Sequence, residues 1–163
     1  LEILDMLHIR PSTNVAVIGD GRLALMIAQV VSLTGADLTI IGKSEEKLKN
    51  FESFAKTTHK DGDTYEIVID ACGHPSGIET AKNIVRKRGT VVVKSTYAGT
   101  TNIDLSWFVV NEVTIMGSRC GPFEPALRLL NMGLVNLPSI ELWELKDYEK
   151  ALASNAFKVG FKF

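Results

Sequence analysis

Apolar residues in this chain come in short unbroken runs, and between those runs they recur at helical spacing. Asn14 to Gly19, Leu38 to Ile41, Glu66-Ile-Val-Ile-Asp-Ala71, Thr90-Val-Val-Val-Lys94 and Glu112 to Met116 read as strands. Runs this apolar suit strands buried on both faces, as in a parallel sheet. Leu23, Ile27, Val30 and Val31 mark one helical face, with Gly35 placed to end that helix. Ser44 ahead of Glu46 and Lys47 predicts an N-cap and a helix to about Ala55, and Pro75 opens a helix expected to reach about Lys87. Shorter helices are expected over Leu1 to His8, Ser106 to Val110, Glu124 to Met132 and Asp147 to Ser154. A short third strand near Ala55 to Thr58, and strands at Ile140 to Leu145 and Phe157 to Phe163, complete the pattern.

Strand and helix alternate throughout, which calls for an α/β fold: a mostly parallel sheet with helices on both faces. Right-handed crossovers then make the doubly wound strand order 3-2-1-4-5-6 the leading topology. In such sheets ligands lie outside the carboxyl ends of the strands. The junctions at Gly19 to Leu23, Gly42 to Ser44, Ala71-Cys72-Gly73-His74 and Lys94 to Tyr97 are therefore the candidate contacts.

The first junction carries the most chemistry. Val15-Ala-Val-Ile-Gly-Asp-Gly-Arg-Leu-Ala24 is an apolar strand, a glycine turn and a helix start, the order in which a dinucleotide pyrophosphate is held. Gly19 makes the tight turn, Gly21 lets backbone approach phosphate, and Ala24 replaces the third glycine, as the fingerprint permits. Arg22 is placed to reach a phosphate or to stand as an exposed loop arginine. Asp20, a carboxylate beside a pyrophosphate, is expected to point away.

The second junction bears on which nucleotide fits. An acid about 20 residues beyond the glycines accepts the ribose 2′-hydroxyl of NAD, whereas this chain has Gly42-Lys43-Ser44. A small residue, a cation and a hydroxyl suit a 2′-phosphate, so NADP is favoured over NAD. A plainer reading stays open: Ser44 caps its helix, Lys43 is solvated and Glu45 reaches the ribose.

Composition narrows the partners. A net charge of -1 and 45% hydrophobic residues describe a globular domain rather than a nucleic-acid binder. The basic cluster Arg86-Lys87-Arg88 falls where a helix is expected to end, where cations favour the dipole. No apolar run approaches the roughly 18 residues of a membrane span, and no signal pattern opens the chain, so a cytoplasmic location is expected. Cys72 and Cys120 read as small buried residues near strand ends, not as a disulfide. Cys72 and His74 have no second ligand pair at metal-site spacing, and no hydrolase elbow is present. The lack of an acid after the second strand also counts against a methyltransferase. The chain starts at Leu1 within a helical pattern, which suggests a fragment.

Taken in order and spacing, Val17-Ile-Gly-Asp-Gly-Arg-Leu-Ala24, Gly42-Lys-Ser-Glu-Glu-Lys-Leu48, Ile67-Val-Ile-Asp-Ala-Cys-Gly73, Arg88-Gly-Thr-Val-Val-Val-Lys94 and Phe157-Lys-Val-Gly-Phe-Lys-Phe163 resemble the cofactor-binding Rossmann domain of the medium-chain dehydrogenase/reductase superfamily, the zinc-type alcohol dehydrogenases and their relatives. The resemblance covers essentially the whole chain. It implies that Ser95, Thr96, Gly117 and Ser118 lie by the nicotinamide, that Lys158 meets the pyrophosphate, and that Thr101 to Leu105 is an edge strand joining a homodimer. It also implies that the barrel-like catalytic domain, with the substrate pocket and any zinc, precedes this one and is absent, leaving no catalytic residue or metal ligand here. The expected parent is a hydride-transferring oxidoreductase of a small alcohol or carbonyl. A non-catalytic nucleotide-binding sensor is the alternative.

Overall fold

The computed structural model describes residues 1–60, 62–97, 99–154 and 156–163. Helix α1 (Glu2–Met6) leads into β1 (Asn14–Ile18), α2 (Arg22–Ser32), β2 (Asp37–Ile41), α3 (Glu45–Leu48), β3 (Lys56–Thr58), β4 (Tyr65–Asp70) and α4 (Ser76–Ile84). Then come β5 (Val85–Val93), α5 (Leu105–Val110), β6 (Thr114–Gly117), α6 (Phe123–Asn131), β7 (Glu141–Glu144), α7 (Tyr148–Ala153) and β8 (Val159–Lys162). The first six strands form one sheet in the order β3-β2-β1-β4-β5-β6. All five pairings are parallel. This is the doubly wound order expected from the sequence.

The unbroken apolar runs are explained by where they lie. Val15, Ala16, Val17, Val68, Ile69, Val91 and Val92 are fully inaccessible, because helices cover both faces of the central strands. One core cluster joins β1, β2 and β4 to α2 and Phe51. The other joins β1 and β4 to Ile78, Ala81 and Ile84 of α4 and to Phe108. On α2, the side chain of buried Gln29 grips the backbone of Asn136, donating to its carbonyl at 3.0 Å and accepting its N–H at 2.7 Å.

Four expectations change. The helix after Ser44 stops at Leu48, and residues 49–55 continue as turns that bury Phe51 completely. Helix α4 ends at Ile84, so Arg86-Lys87-Arg88 lies on β5 rather than in the last turn of a helix. Arg86 instead pairs with Glu66 at 2.6 Å and Arg88 with Glu112 at 3.4 Å, two exposed contacts across neighbouring elements. Thr101 to Leu105 forms no strand among the described residues: Asp104 accepts the Trp107 N–H as the N-cap of α5, and Leu105 is already helical. Cys120 is exposed, with a left-handed backbone at φ 63, and not a buried strand-end residue. Strands β7 and β8 pair with each other, parallel, in a separate two-stranded sheet.

Candidate dinucleotide site

The parallel order brings the carboxyl ends of β1, β2, β4 and β5 to one edge. There they line a groove of about 650 Å³ and an adjoining pocket of about 240 Å³, with Cys72 in the wall of both. Gly21, Arg22 and Leu23 line the groove from the start of α2, Ala71, Cys72 and Gly73 from the end of β4, and Ser95 and Thr96 from beyond β5. Lys158 closes it from the segment before β8. Gly19, Asp20, Gly42 and Lys43 line the smaller pocket. Ser44 sits beside that pocket as the cap of α3, accepting the Lys47 N–H. Gly117 and Ser118 line neither space. Ser118 is buried and reaches the groove only through Lys94, whose Nζ donates to its hydroxyl at 3.2 Å.

The groove is built to take negative charge. Arg22, Lys47, Lys94 and Lys158 line it, and among the described residues no carboxylate does. Helix α2 opens into it at Gly21 with no side chain capping its first N–H groups, which leaves them for a ligand anion. A Cβ added at Gly21 meets nothing within 4 Å, so the space beside this glycine is open. Free donors, open space and four cations fit a pyrophosphate. Burial pulls the Lys94 ammonium below the usual lysine range, although Glu2 acts to raise it.

Two features escape a reading by motif. Asp70, fully buried at the end of β4, accepts the Cys72 N–H at 3.1 Å. The Ser95 hydroxyl lies 3.3 Å from both the carbonyl and Oδ1 of Asp70 and accepts the Gly73 N–H at 2.8 Å. This network ties the loops after β4 and β5 into one wall. The sequence signal for it is a carboxylate closing an apolar strand, where a solvated acid would have no reason to be. The other feature is Asp20, which turns out of the groove, as expected, and toward the end of β2. Its Oδ2 accepts the Lys43 and Ser44 N–H groups, each at 2.8 Å. His59, also in that pocket, contacts the Gly42 carbonyl at 3.0 Å and the Glu45 carboxylate, and this ion pair raises its pKa.

Cys72 offers a direct check on the groove wall. Its thiol is pushed up to about 11, first by burial and then by the Asp70 carboxylate, so it stays protonated through the neutral range. Iodoacetamide in mildly alkaline buffer is expected to label exposed Cys120 about tenfold faster than Cys72, since the thiolate is the reacting form. Equal labelling rates would contradict this account of the wall.

Among the described residues no three His, Cys, Asp or Glu side chains come together as metal ligands do. Likewise, no helix is long and apolar enough to cross a membrane.

Comparison with known proteins places the geometry in context. The sequence model of a family described as zinc-binding dehydrogenase matches residues 23–132. Ribulose-5-phosphate reductase of Streptococcus pneumoniae is 27% identical over 92% of this chain and 50% of its own length. Among solved structures, acetophenone reductase of Geotrichum candidum in complex with NAD superposes with a TM-score of 0.83 at 20% identity, covering 99% of this chain and 52% of that one. A zinc-binding dehydrogenase of Sinorhizobium meliloti bound to NADP gives 0.81 at 19% identity, covering 97% and 54%. The chain thus spans about half the length of the proteins it matches.

Proposed function

The chain belongs to the zinc-binding dehydrogenase family, and on that premise we propose that residues 1–163 form the dinucleotide-binding domain of an NAD(P)-dependent oxidoreductase acting on a small alcohol or carbonyl compound. One observation carries the proposal: a groove lined by four cations and, among the described residues, by no carboxylate, into which an uncapped helix opens beside an unobstructed glycine. The nicotinamide dinucleotide supplies the hydride chemistry when bound.

The chain's own residues would bind and orient it. Gly21 and the first turn of α2, with Arg22 and Lys158, would hold the pyrophosphate. The Asp70 network would fix the loops carrying Cys72, Gly73 and Ser95 as one wall, able to orient the nicotinamide. Ser95 and Thr96 line the groove directly, whereas Gly117 and Ser118 would act through Lys94. No catalytic residue or metal ligand is assigned within the chain. The substrate pocket and any zinc are proposed to belong to sequence outside it, a reading supported by matches of about twice its length.

The choice of nucleotide follows from two opposed features. Lys43 and Ser44 favour NADP, while the Asp20 carboxylate turned onto their backbone weighs toward NAD. A homodimer remains part of the proposal. It is supported by the open edge at β6 and by Leu105, Val109 and Val110 beside it, which are 65%, 76% and 80% exposed. A cytoplasmic setting is proposed as well, since both cysteines are free thiols.

Fluorescence titration should show saturable binding of NADH or NADPH by the chain, with no oxidation of simple alcohols. Turnover of alcohols by these 163 residues alone would overturn the division of labour.

A further inference from the structure

On the reading that this groove holds a dinucleotide, we infer that Asp20 selects NAD over NADP by supplying the ribose-binding carboxylate from the glycine loop instead of from the end of β2. Where that acid is usual, this chain has Gly42, which carries no side chain. The space is nonetheless filled. A Cβ built on Gly42 falls 2.7 Å from Leu48 Cδ2, 2.8 Å from Asp20 Cβ and 3.0 Å from Asp20 Oδ2. A side chain on residue 42 and the carboxylate of Asp20 are therefore mutually exclusive occupants of one position. The glycine at 42 is what lets an acid arrive from residue 20.

The carboxylate is also fixed and half free. Oδ2 takes two backbone N–H bonds of 2.8 Å, from Lys43 and Ser44. Oδ1 makes no hydrogen bond among the described residues, and Asp20 lines the pocket of about 240 Å³ between the ends of β1 and β2. An ionised carboxyl with one oxygen committed still accepts at the other. A ribose 2′-hydroxyl can donate to that oxygen. A 2′-phosphate is an acceptor bearing about -1.5 to -2 charges at neutral pH, and it would face a carboxylate held in place.

The nearby cations do not reverse this. His59 is committed to the Gly42 carbonyl and the Glu45 carboxylate. Lys43 is exposed, where its charge is screened by water and salt. The residue types at 42 to 44 that suggest NADP are thus overruled by a carboxylate from 22 positions earlier than Gly42.

The test is a titration of the wild-type chain and of Asp20→Asn with NADH and with NADPH, read by nicotinamide fluorescence. Wild type is expected to bind NADH at least about tenfold more tightly, and Asp20→Asn to shift the ratio about tenfold or more toward NADPH. Tighter binding of NADPH by wild type would overturn the inference. So would an unmoved ratio in an Asp20→Asn protein whose urea midpoint matches wild type. If Asp20→Asn fails to fold, the wild-type ratio alone decides. Binding of neither nucleotide by folded wild type would overturn the dinucleotide reading, and this inference with it; binding of both with the wrong preference would overturn only the role of Asp20.

Discussion

Gly19→Val is expected to destabilise the domain by about 3 kcal/mol or more and to leave no measurable dinucleotide binding. Two independent costs add at this residue. Its φ of +121 lies where a β-branched side chain is strained. A Cβ would also lie 2.9 Å from the Ala71 carbonyl oxygen, 3.0 Å from its carbon and 3.1 Å from Cys72 Cα. All three atoms are backbone, and the surrounding chain cannot yield. The Gly19 N–H is bonded to the Ile41 carbonyl at 2.8 Å, and the Ala71 N–H to the Ile18 carbonyl at 2.9 Å. Relieving the clash would therefore pull apart the strand ends that form the site. Urea unfolding followed by circular dichroism measures the first cost. A midpoint unchanged from wild type would mean that the turn is not held as described.

The same residue shows how far local patterns carry. Strand–glycine–helix order places the turn and the groove's floor at Gly21 to Leu23, because buried parallel strands leave an unambiguous apolar run and the turn between strand and helix admits few residues. The order β3-β2-β1-β4-β5-β6 followed from alternation and handedness alone. What local pattern did not carry was set by contacts distant in sequence. Arg86-Lys87-Arg88 reads as a helix end, but β5 begins at Val85 and its arginines answer Glu66 on β4 and Glu112 in the turn before β6. The helix after Ser44 was expected to continue, yet Phe51 turns into the core and ends it early.

The site divides in the same way. Gly21, Arg22, Gly73, Ser95 and Lys158 were legible because each stands at a strand junction or a family position, and all five line the groove. Asp70 was not singled out, since its role lies in bonds to Cys72 and Ser95 that no spacing rule encodes. Asp20 turns out of the groove, as electrostatics requires. What electrostatics does not specify is its destination, the two backbone N–H groups at Lys43 and Ser44 that receive its charge. Thr101 to Leu105 was expected to be an edge strand on resemblance, and in this single chain it has no strand partner among the described residues.

The second large effect separates binding from folding. Gly21→Asp introduces a side chain where a Cβ meets nothing within 4 Å, at a φ of -88 that any residue adopts. Aspartate is also a favoured N-cap, so the stability of α2 should be unchanged or raised by up to about 1 kcal/mol. The same carboxylate would occupy the opening to the helix, competing for its N–H groups and repelling a pyrophosphate. Dinucleotide affinity should fall by about a hundredfold or more, while the urea midpoint holds.

The central claim is that the end of α2 at Gly21 is where this chain holds a dinucleotide. Calorimetric titration of NADH and NADPH into wild type and Gly21→Asp tests it most directly. The account predicts one-to-one binding of at least one nucleotide to wild type and none detectable to an equally stable Gly21→Asp protein. Equal affinity in the two proteins, or no binding to folded wild type at millimolar nucleotide, would contradict it.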